Sequence, residues 1–180
     1  MKILILAATG RVADKLIPKL KGDYELVLYG HDAGERLKKF SGKGVFFVNG
    51  DLREEAKVKK AAEGCELAVL NFMAGSEIAK HVVNALTGTS CRRLIVTSGH
   101  CSDDETEGGR IISASVLDTT CIYMPWLRDN TGKDGYKVMS DDPVKENDWQ
   151  VSHEGVARFI ADLIKDPKQY SNGEITLIEA

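Results

Sequence analysis

Four consecutive aliphatic residues, Ile3-Leu4-Ile5-Leu6, run into Ala7-Ala8-Thr9-Gly10 and then into a segment where Val12, Leu16 and Leu20 recur at four-residue spacing. An unbroken apolar run is what a strand buried on both faces requires, whereas a strand wetted on one side alternates. The recurrence after it predicts a helix from Arg11 to Lys21, with Pro18 late in it as a possible distortion. A doubly buried strand that passes straight into a helix is the opening unit of a parallel sheet covered on both faces, because parallel neighbours need a crossover connection.

The same alternation continues along the chain. Residues 26–29, 45–48, 67–71, 94–96, 119–124 and 174–178 read as further strands. Between them, Glu35–Phe40, Arg53–Ala62, Ser76–Leu86 and Ser152–Lys165 have helical spacing. Ser152 stands where an N-cap belongs, ahead of the apolar positions Val156, Phe159, Ile160 and Leu163. The signal weakens past residue 100: 101–109 is acidic and glycine-containing and reads as a loop, Arg110–Ser115 as a short helix, and Asp129–Asp148 as a polar irregular stretch. The predicted fold is α/β, a doubly wound parallel sheet of Rossmann-like type. Its 180 residues suit a single domain whose substrate side, at about 100–150, is reduced.

Composition narrows the function classes. With 43% hydrophobic and 28% charged residues the chain is neither disordered nor, lacking a long apolar run, membrane-spanning. The net charge of −3, with basic residues dispersed, argues against nucleic acid as a partner. The apolar start ends at Gly10-Arg11, short of a signal-peptide core, and Cys65, Cys91, Cys101 and Cys121 include no C-x-x-C pair. These features predict a cytoplasmic protein with reduced thiols. The four His and four Cys have no metal-ligand spacing, so no metal site is expected.

The turn from Ala7 to Ala13 is the chemically suggestive segment. A helix that starts directly after a buried strand offers unpaired N–H groups and a partial positive charge to a pyrophosphate. Set against G-x-x-G-x-x-G, Gly10 is retained while Ala7 and Ala13 replace the outer glycines. A P-loop is excluded, since no Gly-Lys-Ser/Thr follows.

ILAATGRV, then LYGHD, GDLRE, Asn71-Phe72, RRLIVTSG, VLDTTCIYMPWL and VSHEGVARFIADLIKDP follow one another in the order and spacing of a known family. The chain resembles the atypical short-chain dehydrogenase/reductases, and more narrowly the NAD(P)H-binding NmrA-like and flavin-reductase-like proteins, over nearly its whole length. The resemblance implies a pyrophosphate on Ala8, Thr9, Gly10, Arg11 and Val12. It implies a cofactor choice at the end of the second strand, where a carboxylate favours NAD and a basic group the 2′-phosphate of NADP. Asp32 supports the first, while His31, Arg36, Arg11 and Lys39 support the second, and the balance leans to NADP. Asp51 and Leu52 would flank the adenine, although Asp51 also suits a helix N-cap. Asn71, Phe72 and Met73 would line the nicotinamide ribose, and Thr97 and Tyr123 the crevice beyond.

The Tyr-x-x-x-Lys pair typical of short-chain reductases is absent after Ser98. The implied activity is therefore hydride transfer to a quinone, flavin or similar planar small-molecule acceptor, with Ser98 or His100 as proton donor. The alternative is a dinucleotide-binding sensor without catalysis; under either reading a monomer or homodimer is expected. His81 and His153 read as structural or exposed.

Overall fold

Every backbone donor and acceptor of a strand buried on both faces has to be satisfied by neighbouring strands. In the computed structural model, which describes residues 1–99, 102–129, 134–139 and 149–180, β1 (Lys2–Leu6) is paired in parallel with β2 (Glu25–Gly30) on one side and β4 (Leu67–Leu70) on the other. With β3 (Val45–Asn49), β5 (Arg93–Ser98), β6 (Asp118–Tyr123), β8 (Lys137–Val138) and β10 (Gly173–Ile178), the sheet has the order β3-β2-β1-β4-β5-β6-β10-β8. Only the β8–β10 pair in it is antiparallel. A separate parallel pair joins β7 (Trp126–Arg128) to β9 (Gln150–Ser152). The expected doubly wound α/β fold is the one observed.

Alternation sorts the strand side chains into two cores. Ile3 and Ile5 pack with Leu16 and Leu20 of α1 (Arg11–Leu20) and with Val156 and Ile160 of α6 (His153–Lys165). Leu4 and Leu6 face the other way, onto Val58 of α3 (Glu55–Ala61), Ile78 and Val82 of α4 (Ser76–Leu86), and Ile112 of α5 (Asp103–Ser113). Pro18 lies inside α1, which continues beyond it to Leu20. The expected helix at 35–40 is divided into α2 (Ala33–Arg36) and a 3-10 turn (Lys38–Phe40). Ser152 caps α6 as anticipated, its hydroxyl accepting from Gly155 N–H at 2.9 Å.

The largest departure from the sequence reading is α5, a full helix over Asp103–Ser113 where a loop at 101–109 and only a short helix at Arg110–Ser115 were expected. The Ser102 hydroxyl caps it by accepting from Glu105 N–H, and Asp103, Asp104 and Glu105 fill its first turn. Carboxylates there favour a helix through its dipole, so the acidic run marks a helix start. Asp104 also reaches across to α4, accepting from Ser76 N–H at 3.0 Å and from the Ser76 hydroxyl at 2.7 Å. Glycine in the helix permits this closeness: a Cβ on Gly108 would lie 1.9 Å from the Ala74 carbonyl oxygen.

At the strands' N-terminal edge, buried Arg93 binds Asp118 Oδ1 at 2.6 Å and donates to the Thr120 hydroxyl at 2.7 Å and to the Gln169 carbonyl at 3.2 Å. It ties β5, β6 and the connection into β10 together, far from the crevice that the C-terminal edge creates. Among the described residues no helix is long and apolar enough to cross a membrane.

Overpacking a close helix contact costs about 1–3 kcal/mol. Gly108→Ala is expected to lower the melting temperature by several degrees, at about 2–4 °C per kcal/mol for a chain of this size. Differential scanning calorimetry checks this, and an unchanged Tm contradicts the packing described.

Candidate functional site

Strand order reverses between β1 and β4, so the chain leaves these neighbours in opposite directions and a crevice opens at their C-terminal ends. Two adjoining clefts occupy it. The first is lined by Thr9 and Gly10 after β1, Tyr29, Gly30 and His31 at the end of β2, Gly50 to Arg53 after β3, and Asn71 and Phe72 after β4. The second shares Asn71 and Phe72 and adds Arg11, Val12, Met73, Thr97, Glu105, Met124, Leu127 and His153.

The β1–α1 turn is compact. Ala8 is fully buried and its N–H donates to the Tyr29 carbonyl at 3.0 Å, while Gly10 N–H donates to the Ala7 carbonyl at 3.1 Å. Gly10 is the N-cap of α1 and no side chain caps the helix, which leaves its first-turn amides facing the crevice for an anion. A Cβ on Gly10 would meet only ordinary contacts, 3.4 Å from the Ala7 oxygen and 3.7 Å from the Asn71 oxygen. The protein's own packing therefore does not demand glycine there; close approach of a ligand does. Ala7, at the position of the first glycine of the G-x-x-G-x-x-G pattern, holds φ at 53°. Ala13, at the last, is fully buried and its methyl is absorbed into the core.

On the first cleft's outer wall, His31 Nε2 lies 3.3 Å from Asp51 Oδ2. Asp51 Oδ1 accepts from Arg53 N–H at 2.8 Å and stands 3.5 Å from Arg53 Nη1. The Arg53 backbone N–H, helped by the Arg53 and His31 side chains, holds the Asp51 carboxyl below the usual carboxylate range. Asp51 is not the cap of α3, which begins four residues later with Glu54 as N-cap. Beneath the cleft, Tyr29 is fully buried and donates to the Asp51 carbonyl at 2.7 Å. A Cβ on Gly50 would fall 2.2 Å from that hydroxyl, so glycine is required for Tyr29 to fit.

Several expected site residues lie elsewhere. Asp32 and Arg36 are exposed and line neither cleft; Asp32 holds φ at 49° as the N-cap of α2. Arg11 pairs with Asp129, and Lys39 with Asp14, so they form no common cationic pocket with His31. Alternation along β5 puts Thr97 on the crevice side and Ser98 on the α5 side, where Ser98 is buried and hydrogen-bonded to Tyr123. Both hydroxyls crowd Gly109, whose Cβ would lie 2.9 Å from Tyr123 Oη and 3.3 Å from Ser98 Oγ. Burial pushes the Tyr123 phenol up despite the Ser98 bond, the opposite of what a proton-exchanging phenol at neutral pH needs. His100, the other expected donor, lies outside the described residues.

Among the crevice residues that carried no warning of that role are Tyr29, Arg53, Ile78, Glu105, Leu127 and His153. His153, 3% exposed, has Nδ1 2.7 Å from Asp129 Oδ1 and 3.0 Å from the Arg128 carbonyl oxygen. The pairing of Arg128 with Ser152 across β7 and β9 brings these groups together.

The crevice fits a dinucleotide on one internal test. Both polar atoms of the Asn71 amide are buried and neither has a partner among the described residues, at the junction of the two clefts. A buried amide without partners costs about 1–3 kcal/mol, which a polar ligand spanning both clefts removes.

Two outcomes check this geometry. A left-handed L-residue is disfavoured by roughly 1–2 kcal/mol relative to glycine, so Ala7→Gly is expected to raise the melting temperature by about 2–8 °C, and a fall contradicts the φ assigned to Ala7. Burial, with the Glu54 and Asp51 charges, pushes Tyr29 up to about 12. The folded state then holds this proton more tightly than the unfolded chain, so its contribution is complete below pH 10 and is lost as pH rises from 10 to 12. Tyr29→Phe is expected to lose less stability across that interval in alkaline denaturation.

The sequence profile of the NAD(P)H-binding family matches residues 7–167. No curated protein matches the chain. Among solved structures, it is similar to a short-chain dehydrogenase/reductase from Veillonella parvula in complex with NADP, at 23% identity and a TM-score of 0.87, covering 98% of this chain and 93% of that one. A Rossmann-fold NAD(P)-binding family protein from Shigella flexneri gives 23% identity and 0.84, covering 99% and 93%. ChuY, an anaerobillin reductase from Escherichia coli O157:H7, gives 19% and 0.79, covering 99% and 97%. With the profile matched over most of its length and a crevice of this geometry at the β1–β4 reversal, the chain belongs to the NAD(P)H-binding family.

Proposed function

We propose that the protein is an NADPH-preferring oxidoreductase that reduces a planar small-molecule acceptor. The observation that carries the reading is Asn71, whose unpartnered amide sits where the two clefts meet, between the half that holds Leu52 and the half that holds Met73. The nicotinamide cofactor supplies a hydride. The chain's own residues bind and orient: the α1 amides at Gly10 take the pyrophosphate, Leu52 covers the adenine, and Asn71 anchors the link toward the second cleft.

Preference for the 2′-phosphate rests on the wall after β2. His31 and Arg53 line it, whereas Asp32, the residue that would favour the ribose hydroxyl, does not. Both donors stand beside Asp51, whose charge is already engaged by them. The acceptor's chemistry is read from Phe72, Met73, Met124 and Leu127, which give the second cleft an apolar part beside Arg11, Thr97, Glu105 and His153, suited to a quinone or flavin ring. The anaerobillin reductase among the structural relatives supports the same class. A cytoplasmic setting fits the free, buried thiols of Cys65, Cys91 and Cys121.

Thermal stability with added cofactor tests this. Ligand at about one hundred times its Kd stabilises the native state by about 2.7 kcal/mol. NADPH is expected to raise Tm at lower concentration than NADH, His31→Asp to reverse that order, and Gly10→Val to abolish both shifts. No shift with either cofactor at millimolar concentration overturns the reading, and a shift without oxidation of NADPH by quinone or flavin replaces it with a cofactor sensor.

A further inference from the structure

We infer that His153, oriented by Asp129, delivers the proton that accompanies hydride transfer to the acceptor. The inference rests on the oxidoreductase reading and names the group that reading leaves unassigned, since Ser98 is turned toward α5.

His153 Nδ1 stands 2.7 Å from Asp129 Oδ1 and 3.0 Å from the Arg128 carbonyl, both acceptors. Two oxygens at those distances require a proton on Nδ1. The tautomer is thereby set, and proton exchange is left to Nε2. Asp129 is itself steadied on its other oxygen by Arg11 Nη1 at 3.0 Å. A base held by a carboxylate that is in turn held by a third group is the arrangement that activates an imidazole for proton transfer.

Position supplies the second argument. The ring is part of the wall of the second cleft, with Met73, Thr97, Glu105, Met124 and Leu127. It is also part of the wall of a separate, polar cleft lined by Lys15, Arg128, Asp129, Asp134, Ser152 and Glu154. One imidazole thus lies between the acceptor's cleft and a polar cleft that meets it on the Asp129 side. The hydride brings two electrons and one proton to the acceptor. The imidazolium gives its Nε2 proton to the oxygen or nitrogen made basic by that transfer, and the neutral ring regains a proton from water. The sum is one NAD(P)H, one proton and one acceptor consumed, and one NAD(P)+ and one reduced acceptor formed.

The charged groups that line the two clefts with the ring are Arg11 and Lys15 from α1, Glu105 from α5, Arg128 of β7, Asp129 at its end, Asp134, and Glu154 from α6. Turnover is measured with menadione or FMN as acceptor. A positioned proton donor contributes roughly 10²–10⁴-fold. His153→Gln is therefore expected to lower kcat by about 100-fold or more while leaving the NADPH-induced Tm shift unchanged. Asp129→Asn keeps the imidazole and is expected to lower kcat by about tenfold. Nitrogen-detected NMR of the cofactor-free protein gives a readout independent of turnover: a single Nδ1–H tautomer for His153 in the parent and a mixture in Asp129→Asn.

A His153→Gln enzyme within threefold of the parent, a mixed tautomer in the parent, or a parent that binds NADPH but turns over neither acceptor overturns the inference. The first two leave the oxidoreductase reading standing. If the parent shows no NADPH shift, it is that reading which has failed. Should His153→Gln not fold, the Asp129→Asn kinetics and the parent tautomer decide.

Discussion

The two-sided pairing of β1 is the constraint from which the rest of the molecule follows. A parallel strand with neighbours on both sides has no free backbone groups along its length, so unmet hydrogen-bonding capacity is confined to its end. At that end the chain turns into α1 while the neighbouring strand β4 exits toward α4 on the opposite face. Nothing in the sheet can fill the gap between two connections that diverge. The bare amides of α1 and the unpartnered Asn71 amide are what remain exposed to it.

Charge in the crevice is arranged in short chains. Asp51 links His31 to Arg53, and Asp129 links Arg11 to His153. Each carboxylate lies between two groups that can carry or share a positive charge, so neither cleft presents a bare carboxylate to an anionic ligand. Exposed pairs of this kind contribute little to stability. Their effect is orientational, and the most buried member, His153, is the one whose direction they determine most completely.

How far the sequence reveals this depends on the range over which each signal acts. The apolar run of β1 and the spacing of Ile78, Val82 and Leu86 are local, and α4 runs from Ser76 to Leu86 as its periodicity predicts. The turn residues Thr9 and Gly10 follow from a strand end that the same periodicity locates, whereas His31, Asp51, Leu52, Asn71 and Phe72 are pointed to only by the resemblance to a family. Helix α5 was hidden because glycines and acidic residues weigh against helix in isolation, whereas here the acids cap and the glycines admit a neighbouring backbone. The roles of Thr97 and Ser98 turn on strand parity, which a boundary error of one residue inverts. His153 has no local signal, since its partner Asp129 is reached only through the pairing of β7 with β9, short strands that carry no pattern of their own.

The approach of α5 also limits how this chain can evolve. At Gly108 even a methyl group collides with the Ala74 carbonyl, and at Gly109 the adjoining space is already filled by the Tyr123 and Ser98 hydroxyls. A phenol cannot be regained on that face of α5 by one substitution, because the helix would first have to withdraw and give up the Asp104 contacts that hold the start of α4. Routes to new acceptors are therefore open mainly through Met73 and Leu127, which line the second cleft and are only partly buried against the core.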